Sequence, residues 1–191
     1  MPTVNAANFT GLEQRLPTLA SDAFAVVTVP AQDASPASVE AVRILASQGF
    51  AGVYVSLSKD YLSVAAALGA AGVDLSRIHF VDAVSRMYGI APVESPEVTY
   101  VDGPLSVDAL ARGIAESVSG LEQEKRFVLL DSLTTLLLYN SFEATIDFGR
   151  ALRTMLKKMG AAGIIVVAYR DEVNADLLEK LKNGGGEILA A

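Results

Sequence analysis

The sequence predicts a three-layer α/β/α domain around a mainly parallel central sheet, and three observations predict it. Short β-rich apolar runs alternate along the chain with longer stretches of 3.6-residue apolar periodicity. The runs lack strict polar–apolar alternation, so both of their faces are expected to be covered. Successive runs are separated by helical stretches, and a helix between two strands is the connection that a parallel pair requires.

Each element follows from its residues. Residues 1–22 form a lead-in, with a short helix expected around residues 11–16. Residues 23–29 (AFAVVTV) are the first strand, closed by Pro30, which has no N–H for a ladder. Over residues 36–48, Val39, Val42, Leu45 and Ala46 share one helical face, and Gly49 stops the helix. Ser35 and Pro36 read as an N-cap and a proline at the first helical position. Residues 52–57 (GVYVSL) are a second strand, residues 60–71 a helix ended by Gly72, and residues 77–81 a third strand. Residues 83–104, with Pro92, Pro96, Gly103 and Pro104, are irregular and read as a surface loop or an inserted hairpin. Ser106 is placed to cap a helix over residues 106–119. Residues 127–130 are a fourth strand, ending at Asp131. Residues 141–159 form the longest helix, with Phe142, Ile146, Leu152, Met155, Leu156 and Met159 on its apolar stripe. Residues 163–169 (GIIVVAY) are a fifth strand, residues 175–182 a short helix and residues 187–189 a sixth strand. Between the last two, Gly184, Gly185 and Gly186 read as a helix-to-strand turn.

Composition narrows the function. Apolar residues make up 51% of the 191 and charged residues 19%, which excludes a disordered chain. Twenty-two acidic residues against 15 Lys and Arg give a net charge of −7, which argues against general nucleic-acid binding. The absence of cysteine and the single histidine exclude disulfides, thiolate metal centres and multi-histidine sites. That histidine, His79, falls within a strand and reads as a satisfied or half-exposed side chain. The longest uncharged run, residues 44–58, contains Ser, Gln and Gly and falls short of the roughly 20 apolar residues of a membrane span. The N-terminus has neither a basic start nor an apolar signal core, so a soluble, cytoplasmic protein is expected. Ligands of parallel sheets sit outside the carboxyl ends of the strands. The segments after residues 29, 57, 81, 130 and 169 are therefore where a site is sought.

Three stretches carry a family resemblance: GFAGVYVSLSKDYLSVAAALGAAGVDLSRIHFVDA (49–83), KRFVLLDSLTTLLLY (125–139) and FEATIDFGRALRTMLKKMGAAGIIVVAYR (142–170). Together they resemble the RecA-like nucleotide-binding fold, most closely its KaiC-type, RadA-related branch. The first is similar to that family's second strand, helix and third strand. The second resembles its Walker B strand and the Ser/Thr that follows, and the third its long helix and next strand. The resemblance implies a RecA-like domain over residues 23–191, a nucleotide with Mg²⁺ at the strand ends, and assembly into rings.

The departures from the family carry as much meaning. Its first strand is followed by Gly-x-x-x-x-Gly-Lys-Ser/Thr, whose glycines turn backbone N–H groups toward phosphate and whose Lys adds positive charge. Here that place reads Pro30-Ala31-Gln32-Asp33-Ala34-Ser35-Pro36-Ala37, with no glycine, Pro36 at the lysine position and a negative charge at Asp33. This degenerate loop is expected not to bind triphosphate. After the second strand, where KaiC-type ATPases have acidic residues, the chain reads Ser56-Leu57-Ser58-Lys59-Asp60. Asp60 is equally placed to begin the next helix. Asp131 is the best retained position. The resemblance implies that it orders water around nucleotide-bound Mg²⁺, and the plain alternative is a strand-end carboxylate bonded to backbone N–H groups. If nucleotide is bound, Asp131, Ser132 and Ser35 are the candidate contacts. If a cation is bound, the candidates are Asp131 and Asp82, both strand-end acids with hard oxygen ligands. Arg170 lines the ligand edge or pairs with Asp171 or Glu172.

No catalytic residue is assigned. The expected function is that of a non-catalytic regulatory or scaffolding subunit, working through protein contacts as a homo-oligomer or beside a partner ATPase. No cofactor is expected, ATP with Mg²⁺ being disfavoured. Two alternatives stay open: an ATP-binding protein, ATPase or nucleotide sensor with an altered phosphate loop, and a small-molecule binder at the strand ends.

Overall fold

The computed structural model describes residues 9–20, 22–169 and 173–190. Among these residues, seven strands form one sheet: β1 (Phe24–Pro30), β2 (Ala51–Ser56), β3 (Ile78–Asp82), β4 (Val98–Tyr100), β5 (Arg126–Asp131), β6 (Ala161–Tyr169) and β7 (Glu187–Ala190). Their order is β4-β3-β2-β5-β6-β1-β7, and every pair is parallel. The helices are α1 (Thr10–Arg15), α2 (Ala34–Ser47), α3 (Tyr61–Ala70), α4 (Val107–Ser119), α5 (Leu133–Leu136), α6 (Phe142–Met159) and α7 (Val173–Asn183).

The period of two along each strand feeds two separate cores. Val53 and Val55 of β2, Val128 and Leu130 of β5, and Ile165 and Val167 of β6 pack with Leu110 and Ile114 of α4, Leu152 and Leu156 of α6, and Leu177 and Leu181 of α7. Tyr54, Phe127, Leu129, Ile164 and Val166 project to the other face, against Ala41, Val42 and Leu45 of α2 and Val64 and Leu68 of α3. Leu12 and Leu16 of the lead-in are fully buried in this second core. Burial on both sides removes the alternation from the central strands, and all six positions of β2 are buried.

Two glycines are fixed by packing. Gly52 of β2 lies opposite Phe127 of β5, and an added Cβ would come within 2.1 Å of that ring. Gly163 of β6 lies opposite Phe24 of β1 in the same relation, at 2.4 Å. Each aromatic ring thus lies across a neighbouring strand where no side chain stands.

Two expectations need correction. Residues 83–104 are neither wholly irregular nor a hairpin, because β4 pairs parallel to β3 at the sheet edge. Its three residues, Val98, Thr99 and Tyr100, are all half-buried and too few to leave a periodic signal. Ser35 is not an N-cap. A 3₁₀ turn over Ala31–Asp33 runs straight into α2, which begins at Ala34 with no side-chain cap. Ser106 caps α4 as expected, accepting Ala109 N–H, and Asp60 begins α3, accepting Ser63 N–H; Ser141 caps α6 in the same way, accepting Ala144 N–H. The glycine triplet is the turn from α7 to β7, with Gly185 at φ +88°. Among the described residues, no helix is long and apolar enough to cross a membrane.

Candidate functional site

Parallel strands bring the carboxyl ends of β1, β2, β5 and β6 to one edge of the sheet, where a cleft of about 290 Å³ opens. Ala31, Ala34 and Ser35 of the β1–α2 junction form one wall. Ser58 follows β2, Asp131 ends β5 and Ser132 follows it, and Thr134, Thr135 and Leu138 come from α5 and the turn after it. The three candidate nucleotide contacts, Asp131, Ser132 and Ser35, therefore share this cleft.

Asp131 lies at the cleft with 2% of its surface exposed. Tyr54 Oη donates to its Oδ2 at 2.6 Å from the neighbouring strand. Burial raises the Asp131 carboxyl above its ordinary range, opposed by that hydrogen bond and by the positive charge of Lys59. Burial and the adjacent carboxylate likewise push the Tyr54 hydroxyl well up, which keeps it a donor. The peptide between Asp131 and Ser132 is cis. Ser132 Oγ meets Thr135 Oγ1 at 3.2 Å, and Thr134 Oγ1 exchanges hydrogen bonds with the Ala168 backbone.

The wall formed by the β1–α2 junction is helical backbone. Ala34 N–H is spent on Ala31 C=O within the 3₁₀ turn. Across the cleft mouth, Lys59 Nζ donates to Ser35 Oγ at 2.7 Å. The lysine is held by its own turn, in which Ser56 Oγ accepts Lys59 N–H and donates to Lys59 C=O. Asp60 is committed to the start of α3, where it accepts both the N–H and the hydroxyl of Ser63.

Asp82 stands apart from this cluster. Ser56 of β2 lies in register between Asp82 of β3 and Asp131 of β5, so the two acids are separated by two strand spacings, roughly 9.5 Å between Cα atoms. Asp82 is fully buried, and both of its oxygens are engaged. Oδ1 accepts Val84 N–H at 2.7 Å and Ser85 N–H at 2.8 Å; Oδ2 accepts Tyr61 N–H at 2.7 Å and Ser85 Oγ–H at 2.6 Å. A cation shared by the two acids would have to displace those donors. No group of three or more metal-ligating His, Cys, Asp or Glu side chains occurs among the described residues. His79 is half-buried and meets Thr99 Oγ1 at 2.9 Å; burial lowers its pKa. Arg170 lies outside the described residues.

Two members of the site are not found by sequence reasoning. Tyr54 hides in an apolar strand, and its only signal is a hydroxyl at a core position, which demands a partner. Lys59 stands 24 residues from Ser35, and only the adjacency of the β1 and β2 loops brings them together.

Solved structures with the same architecture place the fold. The uncharacterized protein PH0321 from Pyrococcus horikoshii, crystallised in complex with an unknown peptide, superposes with a TM-score of 0.64. It shares 15% identity over 90% of this chain and 80% of its own. The KaiC-like protein PH0186 from Pyrococcus horikoshii OT3 superposes with a TM-score of 0.58 and 19% identity. That match covers 78% of this chain, which spans 64% of PH0186. At these identities the likeness concerns the fold, which is KaiC/RecA-like as the three stretches suggest. No curated protein matches the chain at a significant level. The family model for a family of unknown function, DUF7090, matches residues 53–190, from β2 through β7, and the chain belongs to that family.

Proposed function

We propose that this domain is a non-catalytic KaiC/RecA-like subunit that regulates or scaffolds through protein contacts and does not turn over ATP. The observation that carries the reading is the β1–α2 junction. Where a phosphate cradle needs outward-turned N–H groups and a lysine, this chain has a 3₁₀ turn, no glycine and Pro36. Asp33 adds a negative charge to the same turn. The strand-end acid that would attend Mg²⁺ is bonded to Tyr54. PH0321 was crystallised with a peptide, so a similar fold is found in contact with a polypeptide. Calorimetric titration with ATP and ADP, each with Mg²⁺, tests the proposal, together with sedimentation at several concentrations. No saturable heat is expected, and association of the chain with itself or with a partner ATPase is. Micromolar nucleotide binding with hydrolysis would overturn it.

A second reading has one specific support. Lys59 brings a positive charge to the cleft from the β2 side, among the hydroxyls of Ser35, Ser58 and Ser132. That arrangement suits a small-molecule or nucleotide sensor with an altered loop. Saturable binding without hydrolysis, weakened in Lys59→Ala, would favour it.

A further inference from the structure

The exposed large apolar side chains of the described residues are not scattered. Leu62, Tyr88, Ile90, Val93, Leu105 and Leu138 are 40% to 78% exposed. Leu62 opens the helix after β2; Tyr88, Ile90 and Val93 follow β3; Leu105 follows β4; and Leu138 follows β5. In an all-parallel sheet these segments meet at one edge. Hydrogen bonds join the segments after β3, β4 and β5 to one another, and Tyr61 N–H, next to Leu62, donates to Asp82 at the end of β3. Tyr88 Oη and Tyr139 Oη lie 3.4 Å apart, and Asn140 donates to Pro104 C=O at 2.9 Å beside Leu105. Val93 N–H donates to Tyr100 Oη at the end of β4. Leu138 also lines the cleft, so the apolar surface is continuous with it.

Isolated exposed leucines need no explanation, but several on one rim mark a contact surface. The charges on the same rim are one-sided. Asp60, Glu94, Asp102, Asp108 and Glu143 stand on these segments against Lys59 and Arg86, and Arg86 is already paired with Asp102. An anionic membrane surface is repelled by that balance. A second copy of this chain does not complement it either. Among the described residues, the copy's cations that lie outside this rim and outside ion pairs stand on α4, at the start of β5, on the second half of α6 and on α7 (Arg112, Lys125, Lys158 and Lys182 among them), and none of those elements carries one of the exposed large apolar side chains.

We infer that this rim is a docking surface for a segment of another protein that carries apolar side chains flanked by Lys or Arg. The inference rests on the protein-contact reading and names the chemistry of the partner. Aromatic and leucine anchors supply the contact, and the surrounding carboxylates select a cationic partner and speed its approach.

Fluorescence anisotropy with labelled synthetic peptides tests it. One peptide is an amphipathic helix of leucine and lysine, a second has glutamate for lysine, and a third has serine for leucine. The expected result is saturable binding of the first at least tenfold tighter than of the other two. A tenfold or greater loss is expected in Leu105→Ser/Leu138→Ser, two exposed positions whose change leaves the melting temperature in place. Equal binding of the glutamate or serine peptide overturns the partner chemistry. Binding unaffected by the double variant overturns the location. Binding of zwitterionic or anionic vesicles in place of peptide overturns the choice of a protein partner. If no peptide binds, the inference fails while the nucleotide titration still decides the non-catalytic reading independently.

Discussion

Asp82→Asn separates a structural carboxylate from a cation ligand. In the wild type four donors converge on two oxygens: Val84 and Ser85 N–H on one, Tyr61 N–H and Ser85 Oγ–H on the other. Asparagine has one acceptor oxygen, so one of these pairs must face an NH₂ group. Facing it toward Val84 and Ser85 N–H opposes two backbone donors that cannot turn. Facing it toward Tyr61 is milder, because the Ser85 hydroxyl can rotate and accept. Even then, Tyr61 N–H at the start of α3 is left opposed by a donor. A hydrogen bond to a charged acceptor is worth about 1.5–3 kcal/mol, and an unsatisfied buried donor costs about 1–3 kcal/mol. The two figures describe the same lost contact in part, so the milder orientation loses about 2–4 kcal/mol, a large share of the roughly 5–15 kcal/mol that holds a typical domain folded. At this chain length that corresponds to a fall of roughly 5–15 °C in Tm. Urea denaturation followed by far-UV circular dichroism, with an unchanged m-value, measures it. A loss below about 1 kcal/mol would refute the four-donor account. Millimolar Mg²⁺ adds a second arm. If Asp82 held a cation, the ion would raise the Tm of the wild type and not of the variant; engaged oxygens predict no change in either.

Three other perturbations follow from the same geometry. Tyr54→Phe removes the donor to Asp131 and should cost about 1–3 kcal/mol, measured by urea denaturation, with ring packing retained. Asp131, held above its ordinary range by burial, binds its proton more tightly folded than unfolded. Its contribution is thus complete below the unfolded pKa of about 4 and is lost as pH rises through the folded value. Denaturation midpoints across that window should fall with pH in the wild type relative to Asp131→Asn, and parallel profiles would contradict the assignment. Gly52→Ala puts a methyl group within 2.1 Å of the Phe127 ring and should destabilise by about 1–3 kcal/mol, relieved in part by Phe127→Leu in a double-mutant cycle.

Much of the fold is written locally. The run AFAVVTV reads as a strand covered on both faces, because it is rich in β-branched residues, has no polar face to meet water and is closed by Pro30. The stripe from Phe142 to Met159 dictates a helix with one buried side, and Gly160, at φ +63°, ends it. Ser106 and Asp60 announce helix starts because capping needs only a side chain and the N–H three residues on. The absence of glycine and lysine from residues 30–37 can also be read directly, since a phosphate cradle would be built from consecutive residues.

The tertiary structure decides what depends on neighbours distant in the chain. Three residues at a sheet edge have no periodicity of their own, so β4 exists only because β3 offers a ladder. The strand order sets β2 between Asp82 and Asp131, which keeps the two acids on separate hydrogen-bond networks. The same order brings Tyr54 to Asp131, 77 positions away, and Lys59 to Ser35. The apolar rim likewise draws residues from four separate connections. A sequence determines which segments become strands by their local burial pattern. Which strand ends become neighbours is set by how the whole sheet closes its core, and the candidate site is made of those neighbours.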